Sequence, residues 1–322
     1  MTPVVVAVDG GGTKTDVAVL GLDGRLLARR RFGSFMPQTI GPVVATGELD
    51  RAVAQVMEPL GQVDVVAAGL YFSGLDFPFE TEQFRDEVVK CRWAGGRLLI
   101  DNDTFALMRL GSTSVPAVAV VCGTGMNCVG AGSDGRLVRF AAVGEVSGDW
   151  GGGASLGLTA IWYAARAADG RGSATMLEDL VLAHLGRSSM AEVILGFHVA
   201  DIHPEVVPGL APLVFQAAHL GDPLARTIVA HQAEEIVTCA VAAIERLDAV
   251  DIPCPVVLGG GVIAAGDRSL LEGIRDGLAR RAPSANIVVV SRPPITGAAL
   301  LVFDDLGGDS ATIDQVKRTF SD

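Results

Sequence analysis

A turn near the amino terminus combines residue types that could bind a phosphate group together with a metal ion. Asp9 ends an apolar segment and is closely followed by Gly11, Gly12, Thr13 and Lys14. Consecutive glycines let several backbone N–H groups point into one concavity that can hold a phosphate. A carboxylate at a strand end can bind Mg²⁺ directly or through water. The turn therefore predicts a phosphate and magnesium site, although a wide hairpin turn without any ligand remains an alternative.

A similar turn occurs again further along the chain. An ungapped shift of 111 positions (124 minus 13) places Gly12 and Thr13 on Gly123 and Thr124, and it superimposes two identical Asp-Gly-Arg-Leu turns. A repeat of this length predicts two similar halves, whose glycine turns could bind one polyphosphate between them. Asp9 has no acidic counterpart in the second turn, so the sequence predicts one metal site.

A second acidic position follows a strand that the pattern predicts over residues 97–100. Asp103 comes directly after Asn102 there, before a helix that is predicted to reach about Arg109. Ligands usually bind at the carboxyl ends of strands in α/β sheets, so Asp103 could be a general base. Either residue could instead be only the N-cap of the helix, and both interpretations stay open at this point.

Two further glycine-rich segments could contribute to a binding site. The segment 144–157 is predicted to be a loop that contains Asp149, a candidate for binding a substrate hydroxyl, and Ser155, a candidate helix cap. The segment Gly259-Gly260-Gly261 follows a predicted strand, and its backbone could lie against a planar base or ribose. The alternative for these three glycines is a tight turn between a strand and a helix.

Composition is typical of a globular protein and disfavours several classes of function. The chain of 322 residues is long enough for two domains, with 49% hydrophobic and 19% charged residues. A net charge of −12 disfavours a nucleic-acid partner, and no apolar run is long enough to cross a membrane. The five cysteines and five histidines lack metal-site spacing, so the histidines are expected to be structural. A cytoplasmic protein is therefore the expectation.

The elements that must position these residues predict an α/β protein with two domains. Residues 1–114 are expected to form the first domain and residues 115–294 the second. A carboxyl-terminal helix over about 295–322 is expected to pack back on the first domain, between the halves. An amphipathic helix over 224–247 is expected to face the core of the second domain.

Five motifs, in order, resemble those of the sugar-kinase, actin and chaperone superfamily: DGGGTKTD, CGTGMN, NDT, GDWGGG and LGGGV. Within it the chain resembles the BadF/BadG/BcrA/BcrD ATPase family, in particular its N-acetylglucosamine kinase branch, over nearly its whole length. The resemblance implies two ribonuclease-H-like domains that bind ATP in the cleft between them. It also implies a sugar substrate and phosphoryl transfer from ATP to a sugar hydroxyl. A homodimer is compatible with the sequence, which does not reveal whether one forms.

The resemblance further assigns roles to individual residues. Asp9 would belong to the Mg²⁺ site, and Asp103 would be the catalytic base. An ordinary carboxyl pKa of about 4 would suffice for a base that orients the hydroxyl and accepts its proton late, and it is the expected value. The two glycine turns would bind the phosphates, and the segment 259–261 would bind adenosine. Four residues would form the sugar site: Ser73, Asn102, Asn127 and Asp149.

Two positions depart from the family pattern. Met36 stands where N-acetylglucosamine kinases usually have an Asn that hydrogen-bonds the sugar, and Trp150 stands where they usually have Glu. Loss of a polar group that contacts a hydroxyl can change selectivity strongly, so the sequence leaves open which amino sugar or hexose is the substrate.

Two other functions remain as alternatives to a kinase. Some ATPases of this family activate a reductase or radical enzyme and bind an iron–sulfur cluster through clustered cysteines, whereas the cysteines here are scattered. A non-catalytic sugar-binding regulator is the other alternative. The acidic charge disfavours it, and no helix-turn-helix segment precedes Val4.

Overall fold

Two five-stranded sheets with the same connectivity form the framework of the computed structural model, which describes residues 1–320. The first sheet contains β1 (Thr2–Gly10), β2 (Lys14–Gly21), β3 (Leu26–Gly33), β4 (Val63–Phe72) and β5 (Arg97–Asn102). The second contains β6 (Ala117–Cys122), β7 (Met126–Ala131), β8 (Leu137–Arg139), β9 (Cys254–Gly259) and β10 (Ala285–Val289).

The strand orders confirm the predicted duplication and the α/β fold class. The first sheet runs β3-β2-β1-β4-β5 and the second runs β8-β7-β6-β9-β10, so every strand has a counterpart in the other half. In each sheet the first three strands pair antiparallel, and the two later strands add in parallel. Each glycine turn therefore lies at the carboxyl end of the central strand of its sheet, β1 or β6, which is where ligands bind in α/β proteins.

Thirteen α-helices and three short 3₁₀ helices within the described residues pack around these sheets. In the first half they are α1 (Pro37–Ile40), α2 (Pro42–Met57), α3 (Pro78–Val88) and α4 (Asp103–Gly111). The second half contains α5 (Gly152–Ala168), α6 (Leu177–Leu185), α7 (Met190–His198), α8 (Ala211–His219), α9 (Pro223–Arg246), α10 (Gly261–Ala264) and α11 (Arg268–Arg281). The chain continues into α12 (Ile295–Asp305) and α13 (Ser310–Thr319).

The long helix α9 confirms the predicted amphipathic helix. Its residues Ile228, Ile236, Val237 and Ile244 are buried in the core of the second half. By length and composition alone α9 could also span a membrane, but more than half of its most apolar window is buried against the protein.

Helices α4 and α12 lie between the two sheets and join the halves. One hydrophobic cluster contains Val5 and Ala7 of β1, Phe105 of α4, Val257 of β9 and Ala298 of α12. The two helices approach closely because α12 carries a glycine at position 297, where a Cβ would collide with the carbonyl oxygen of Ala106. Helix α12 thus lies between the halves.

The carboxyl-terminal helix differs from the prediction. The chain after residue 295 forms two helices instead of one, because Gly307, with a φ of 73°, ends α12 and allows the chain to reverse. Residues 321–322 of that predicted helix lie outside the described residues. The division of the chain into domains 1–114 and 115–294 remains a prediction.

The predicted loop over 144–157 is wrong in its second part, because α5 already begins at Gly152. Ser155 therefore lies inside the helix instead of capping it. The glycines permit this start because a Cβ on Gly152 would lie 2.5 Å from the carbonyl group of Gly125. The absence of a side chain at Gly152 therefore lets α5 pack closely against the second glycine turn.

Candidate active site

The tips of the two glycine turns lie against each other. A Cβ built on Gly12 would be 3.8 Å from the Cβ and Oγ1 atoms of Thr124, which is ordinary van der Waals contact. In the second turn, a Cβ built on Gly123 would be 4.0 Å from the backbone nitrogen of Gly261. Gly12, Thr124 and Gly261 are exposed, so the two glycine turns and the segment 259–261 approach one another at the solvent-accessible surface.

The segment Gly259-Gly260-Gly261, called the third glycine segment below, contains one residue that must be glycine for steric reasons and one that faces open space. Gly260 has a φ of 94°, and a Cβ there would collide with the carbonyl group of Cys122. The interpretation as a tight turn between a strand and a helix is therefore correct for this residue. Gly261 differs, because nothing in the structure lies within 4 Å of its ideal Cβ position, so its bare backbone faces open space.

Asp9 is a buried carboxylate at the end of β1, only 6% exposed. Burial, and then the neighbouring carboxylate of Asp16 on β2, raise the pKa of Asp9 to about 7. Asp16 itself is paired with Arg29 at 3.2 Å and with Arg31 at 2.9 Å. Within residues 1–320 no side-chain or backbone donor hydrogen-bonds the carboxylate of Asp9, so its oxygens are available to a cation.

The donor set fits Mg²⁺ that is shared with a ligand. No group of three or more His, Cys, Asp or Glu side chains that could enclose a metal ion occurs in the part of the chain that the structure describes. Mg²⁺ in phosphoryl-transfer sites is typically held by one or two carboxylates, several waters and the phosphate oxygens of the substrate. One carboxylate beside a phosphate-binding turn has this composition.

Asp103 is the first residue of α4, and the structure decides the capping question in favour of its neighbour. The Asn102 Oδ1 atom accepts a hydrogen bond from the backbone N–H of Thr104 at 2.9 Å, which makes Asn102 the N-cap. Asp103 is therefore not needed as the cap, and its Oδ1 atom accepts a long hydrogen bond from the Thr104 hydroxyl, at 3.5 Å.

The electrostatic environment of Asp103 differs from the expectation of an ordinary carboxyl group. Burial, followed by the charges of Asp9 and Asp76, raises the pKa of Asp103 to about 8. The expected pKa of about 4 is wrong because the carboxylate shares a poorly hydrated cleft with two others. Three elements that are distant in the sequence therefore bring three acids close together.

Asp76 is the residue that sequence reasoning missed. It is 6% exposed, and its Oδ1 atom accepts hydrogen bonds from the Nδ2 atoms of Asn102 and Asn127, each at 2.8 Å. Burial, followed by the charge of Glu80, raises the pKa of Asp76 to about 7, and the hydrogen bond from Asn127 opposes this shift. The rule that singled out Asp103 could have found Asp76, because it also follows the carboxyl end of a parallel strand, β4.

Ser73 lies where the loop after β4 meets the first glycine turn. Its backbone N–H donates to the carbonyl of Gly10 at 2.7 Å, and its hydroxyl donates to the sulfur of Met36 at 3.0 Å. Ser73, which was predicted to line the sugar site, and Met36, which departs from the family pattern, are therefore direct neighbours.

The segment that contains Asp149 lies in the second half, near the same cleft. Its carboxylate accepts a hydrogen bond from the Ser147 hydroxyl, and its charge contributes to the raised pKa of Asp76. Trp150 stacks on the ring of His231 in α9, with centroids 4.1 Å apart. The Trp150 ring is therefore held against α9, and His231 has the structural contact that was expected for the histidines.

Comparisons with known proteins agree with this geometry. The chain is 26% identical over 304 residues to an N-acetylmuramic acid/N-acetylglucosamine kinase of Clostridium acetobutylicum, covering 92% of this chain and 97% of that protein. Its structure resembles that of a proposed N-acetylglucosamine kinase from Chromobacterium violaceum, with a TM-score of 0.71, 26% identity and coverage of 93% and 98%.

A more distant structure shares the fold. It is a ROK family glucokinase from Streptomyces griseus, solved with glucose and AMPPNP, with a TM-score of 0.58, 21% identity and coverage of 94% and 99%. The sequence model of one family matches residues 6–302 of the chain. The resemblance inferred from the five motifs is thereby confirmed, and the protein belongs to the BadF/BadG/BcrA/BcrD ATPase family.

Proposed function

We propose that the protein is an ATP-dependent sugar kinase that phosphorylates a hydroxyl of an amino sugar or hexose, with N-acetylglucosamine or a close relative as its substrate. The observation that carries this proposal is the convergence of three glycine segments beside the carboxylates Asp9 and Asp103. The names of the similar proteins, and the nucleotide analogue bound to the Streptomyces enzyme, support the same reaction.

In the proposed reaction Asp103 is the general base. Its carboxylate accepts the proton of the sugar hydroxyl while that oxygen forms a bond to the γ-phosphorus. The bond between the γ-phosphorus and the β–γ bridging oxygen breaks, and ADP leaves with the electron pair. A base with a pKa near 8 is strong enough to hold the proton that it removes, and the fraction of molecules in which it is ionised grows as the pH rises toward 8.

The two turns supply positive potential around the transferred group. Lys14 and the backbone N–H group of Gly12 would face the phosphates, because the N–H groups of Gly11 and Gly123 already donate to the carbonyls of Lys14 and Gly125. Gly261 would lie against the nucleoside. Asp9 would hold Mg²⁺, which when bound neutralises charge on the β- and γ-phosphate oxygens. The buried carboxylate of Asp9 then gains a partner that offsets the unfavourable burial of its charge.

The sugar would lie between Ser73 of the first half and Asn127 and Asp149 of the second. Asn102 is 1% exposed, which favours an indirect role in orienting Asp103. Asn127 is only partly buried, and its Nδ2 atom keeps a second hydrogen that could be donated to a sugar. Met36 presents sulfur next to Ser73, so the tested sugars must include several that differ in their ring substituents.

The remaining assignments rest on the charge and the surface of the chain. A net charge of −12 does not suit binding to nucleic acid or to an anionic membrane surface, so we propose a cytoplasmic enzyme with a small-molecule partner. A homodimer is compatible with exposed apolar side chains such as Leu158 and Trp162 on α5. Measuring the molecular mass of the purified protein in solution would test whether a homodimer forms.

The decisive experiment measures ADP release from ATP with Mg²⁺ across a panel of sugars. The panel comprises N-acetylglucosamine, N-acetylmuramic acid, N-acetylmannosamine and glucose. We expect turnover that depends on one of these sugars, and we expect Asp103→Asn to lower kcat by roughly 10²–10⁴-fold while nucleotide binding is retained. Asp64→Asn, at the far end of β4, is the matched control.

Each outcome separates the candidate functions. Near-normal turnover by the Asp103→Asn variant would remove that residue from the role of base. Sugar binding without any ADP release would favour the non-catalytic regulator. ATP hydrolysis without sugar dependence, together with iron and sulfide in anaerobically purified protein, would favour the activator of another enzyme.

A further inference from the structure

One oxygen atom of Asp76 joins side chains from the two halves of the chain. Its Oδ1 atom accepts a hydrogen bond from Asn102, at the end of β5, and another from Asn127, on β7. Both distances are 2.8 Å, and Asp76 and Asn102 are almost fully buried. Hydrogen bonds to a carboxylate in such a poorly hydrated place are stronger than those on the surface.

The loop that carries Asp76 is itself held firmly. The backbone N–H groups of Asp76 and Phe77 both donate to the carboxylate of Glu80 at 2.9 Å, at the start of α3. Three residues before Asp76, the backbone of Ser73 bonds to Gly10 in the first glycine turn. The carboxylate therefore projects from a loop that is attached both to a helix and to β1.

Each of the two asparagines passes this restraint to a neighbouring element. Asn102 uses its Oδ1 atom to cap α4, the helix that begins with Asp103. Asn127 uses its Oδ1 atom to accept from the backbone N–H of Cys128 at 2.7 Å, directly after the second glycine turn. Within the described residues, Asp76 is thus the carboxylate that accepts hydrogen bonds from both asparagine side chains.

We propose that Asp76 is a positioning residue, which holds Asp103 and the strand after the second glycine turn in one fixed arrangement. The idea rests on the proposed kinase function, in which these two elements contribute the base and part of the sugar and phosphate sites. The restraint would order the cleft before substrates bind, and thereby lower the entropy that must be lost in the reactive geometry.

Two substitutions distinguish the hydrogen bonds of Asp76 from its charge. Asp76→Asn keeps a carbonyl oxygen that can accept from both asparagines, whereas Asp76→Leu has a side chain of similar length without any acceptor. The first measurement is hydrogen exchange at the amides of Thr104 and Cys128, because these N–H groups bond to the two asparagine side chains. We expect roughly tenfold faster exchange at both amides in Asp76→Leu and less than about threefold change in Asp76→Asn.

The second measurement is steady-state kinetics. In Asp76→Leu we expect kcat to fall by roughly 100-fold while the KM for ATP changes by less than about threefold. In Asp76→Asn we expect kcat to stay within about tenfold of the wild type. Unchanged exchange at both amides in Asp76→Leu, or unchanged kcat, would overturn the positioning role.

A matched control separates positioning from general stability. Asp222 is equally buried, caps α9 through the N–H of Ala225, and accepts a hydrogen bond from Thr175. Asp222→Leu should lower the melting temperature but leave exchange at Thr104 and Cys128 and the value of kcat unchanged. Loss of kcat in this control equal to that in Asp76→Leu would count against the proposal.

The design remains informative if one part of it fails. Should Asp76→Leu not fold, Asn127→Ala removes one of the two donors, and exchange at Thr104 should rise by at least about threefold; wild-type exchange there would overturn the proposal. If the wild-type protein shows no sugar-dependent ADP release, the kinase function fails, while the exchange data still decide the role of Asp76.

Discussion

Arg139 and Asp101 form a two-pronged ion pair that connects the halves of the protein. The Nη1 and Nη2 atoms of Arg139, at the end of β8, donate to the two carboxylate oxygens of Asp101 on β5, at 2.7 and 2.8 Å. The guanidinium also lies over the ring of Phe105 in α4, 4.4 Å from its centroid. The pair is therefore next to the element that carries Asp103, and it favours the arrangement in which the halves are together.

We expect Arg139→Lys to weaken this connection. A lysine ammonium cannot bond to both oxygens in a planar fork or stack on the phenylalanine ring, so the closed arrangement loses about 1 kcal/mol. The value of kcat/KM for the sugar should fall by roughly fivefold to tenfold. Arg136→Lys is the control, because the ion-pair partners of Arg136 among residues 1–320, Asp134 and Asp248, both lie in the second half. Equal kinetics in the two variants would show that the ion pair does not affect closure.

The pKa of Asp103 predicts how activity depends on pH. Its folded-state pKa of about 8 means that the carboxylate is mostly protonated at pH 6 and can accept no proton there. The value of kcat/KM for ATP should therefore rise with pH, reach half of its maximum near pH 8 and level off about one pH unit higher. Asp76→Asn removes one of the charges that raise this pKa, so its profile should move to lower pH. A profile that is flat between pH 5.5 and 8.5 in the wild type would contradict the assignment of the base.

The same three acids predict an unusual pH dependence of stability for the ligand-free protein. The pKa values of Asp9 and Asp76 are raised to about 7 and that of Asp103 to about 8, above the unfolded-chain value of about 4. Between these limits the folded state binds more protons than the unfolded state, so the free energy of unfolding decreases as pH rises. The melting temperature without nucleotide or metal should be higher at pH 5.5 than at pH 8.5.

One substitution tests whether Asp103 contributes to this trend. Asp103→Asn replaces a carboxylate that resists ionisation with a neutral amide, so the variant should melt at a higher temperature than the wild type at pH 8.5. The difference between the two melting temperatures should be smaller at pH 5.5 and should vanish only below about pH 4, where the folded and unfolded states both bind the proton. Asp64→Asn, whose side chain is exposed, should follow the wild-type curve at both pH values. A variant that melts below the wild type at pH 8.5 would show that Asp103 stabilises the fold as an anion.

Local sequence patterns sufficed for much of the fold. The strand at 63–72 and the buried face of α9 follow from apolar periodicity, and the duplicated turns follow from glycine and Asp-Gly chemistry, all of which act over a few residues. The start of α5 could not be predicted in this way. A run of glycines resembles a loop unless the second glycine turn, against which Gly152 packs, is known to lie beside it.

The electrostatics of the site depended on contacts that no local pattern contains. Asp76 bonds to Asn102 and Asn127, which lie 26 and 51 positions away in the chain. The pKa of Asp103 depends on burial and on carboxylates that follow two other strands, β1 and β4. Sequence could therefore nominate Asp9 and Asp103 as individual acids, but their coupling required the three-dimensional arrangement.

The third glycine segment allows a test that separates folding from nucleotide binding. A methyl group on Gly261 meets open space, so Gly261→Ala should melt within about 2 °C of the wild type. The same methyl group would lie where the nucleoside is proposed to bind, and ADP should bind roughly tenfold more weakly, measured by calorimetry. Gly260→Ala should instead lower the melting temperature, because a φ of 94° and the Cys122 carbonyl both oppose a side chain there. Gly95 also faces open space but lies outside the three segments, so Gly95→Ala controls for the loss of glycine itself. Wild-type ADP affinity in Gly261→Ala would remove the segment 259–261 from the nucleotide site.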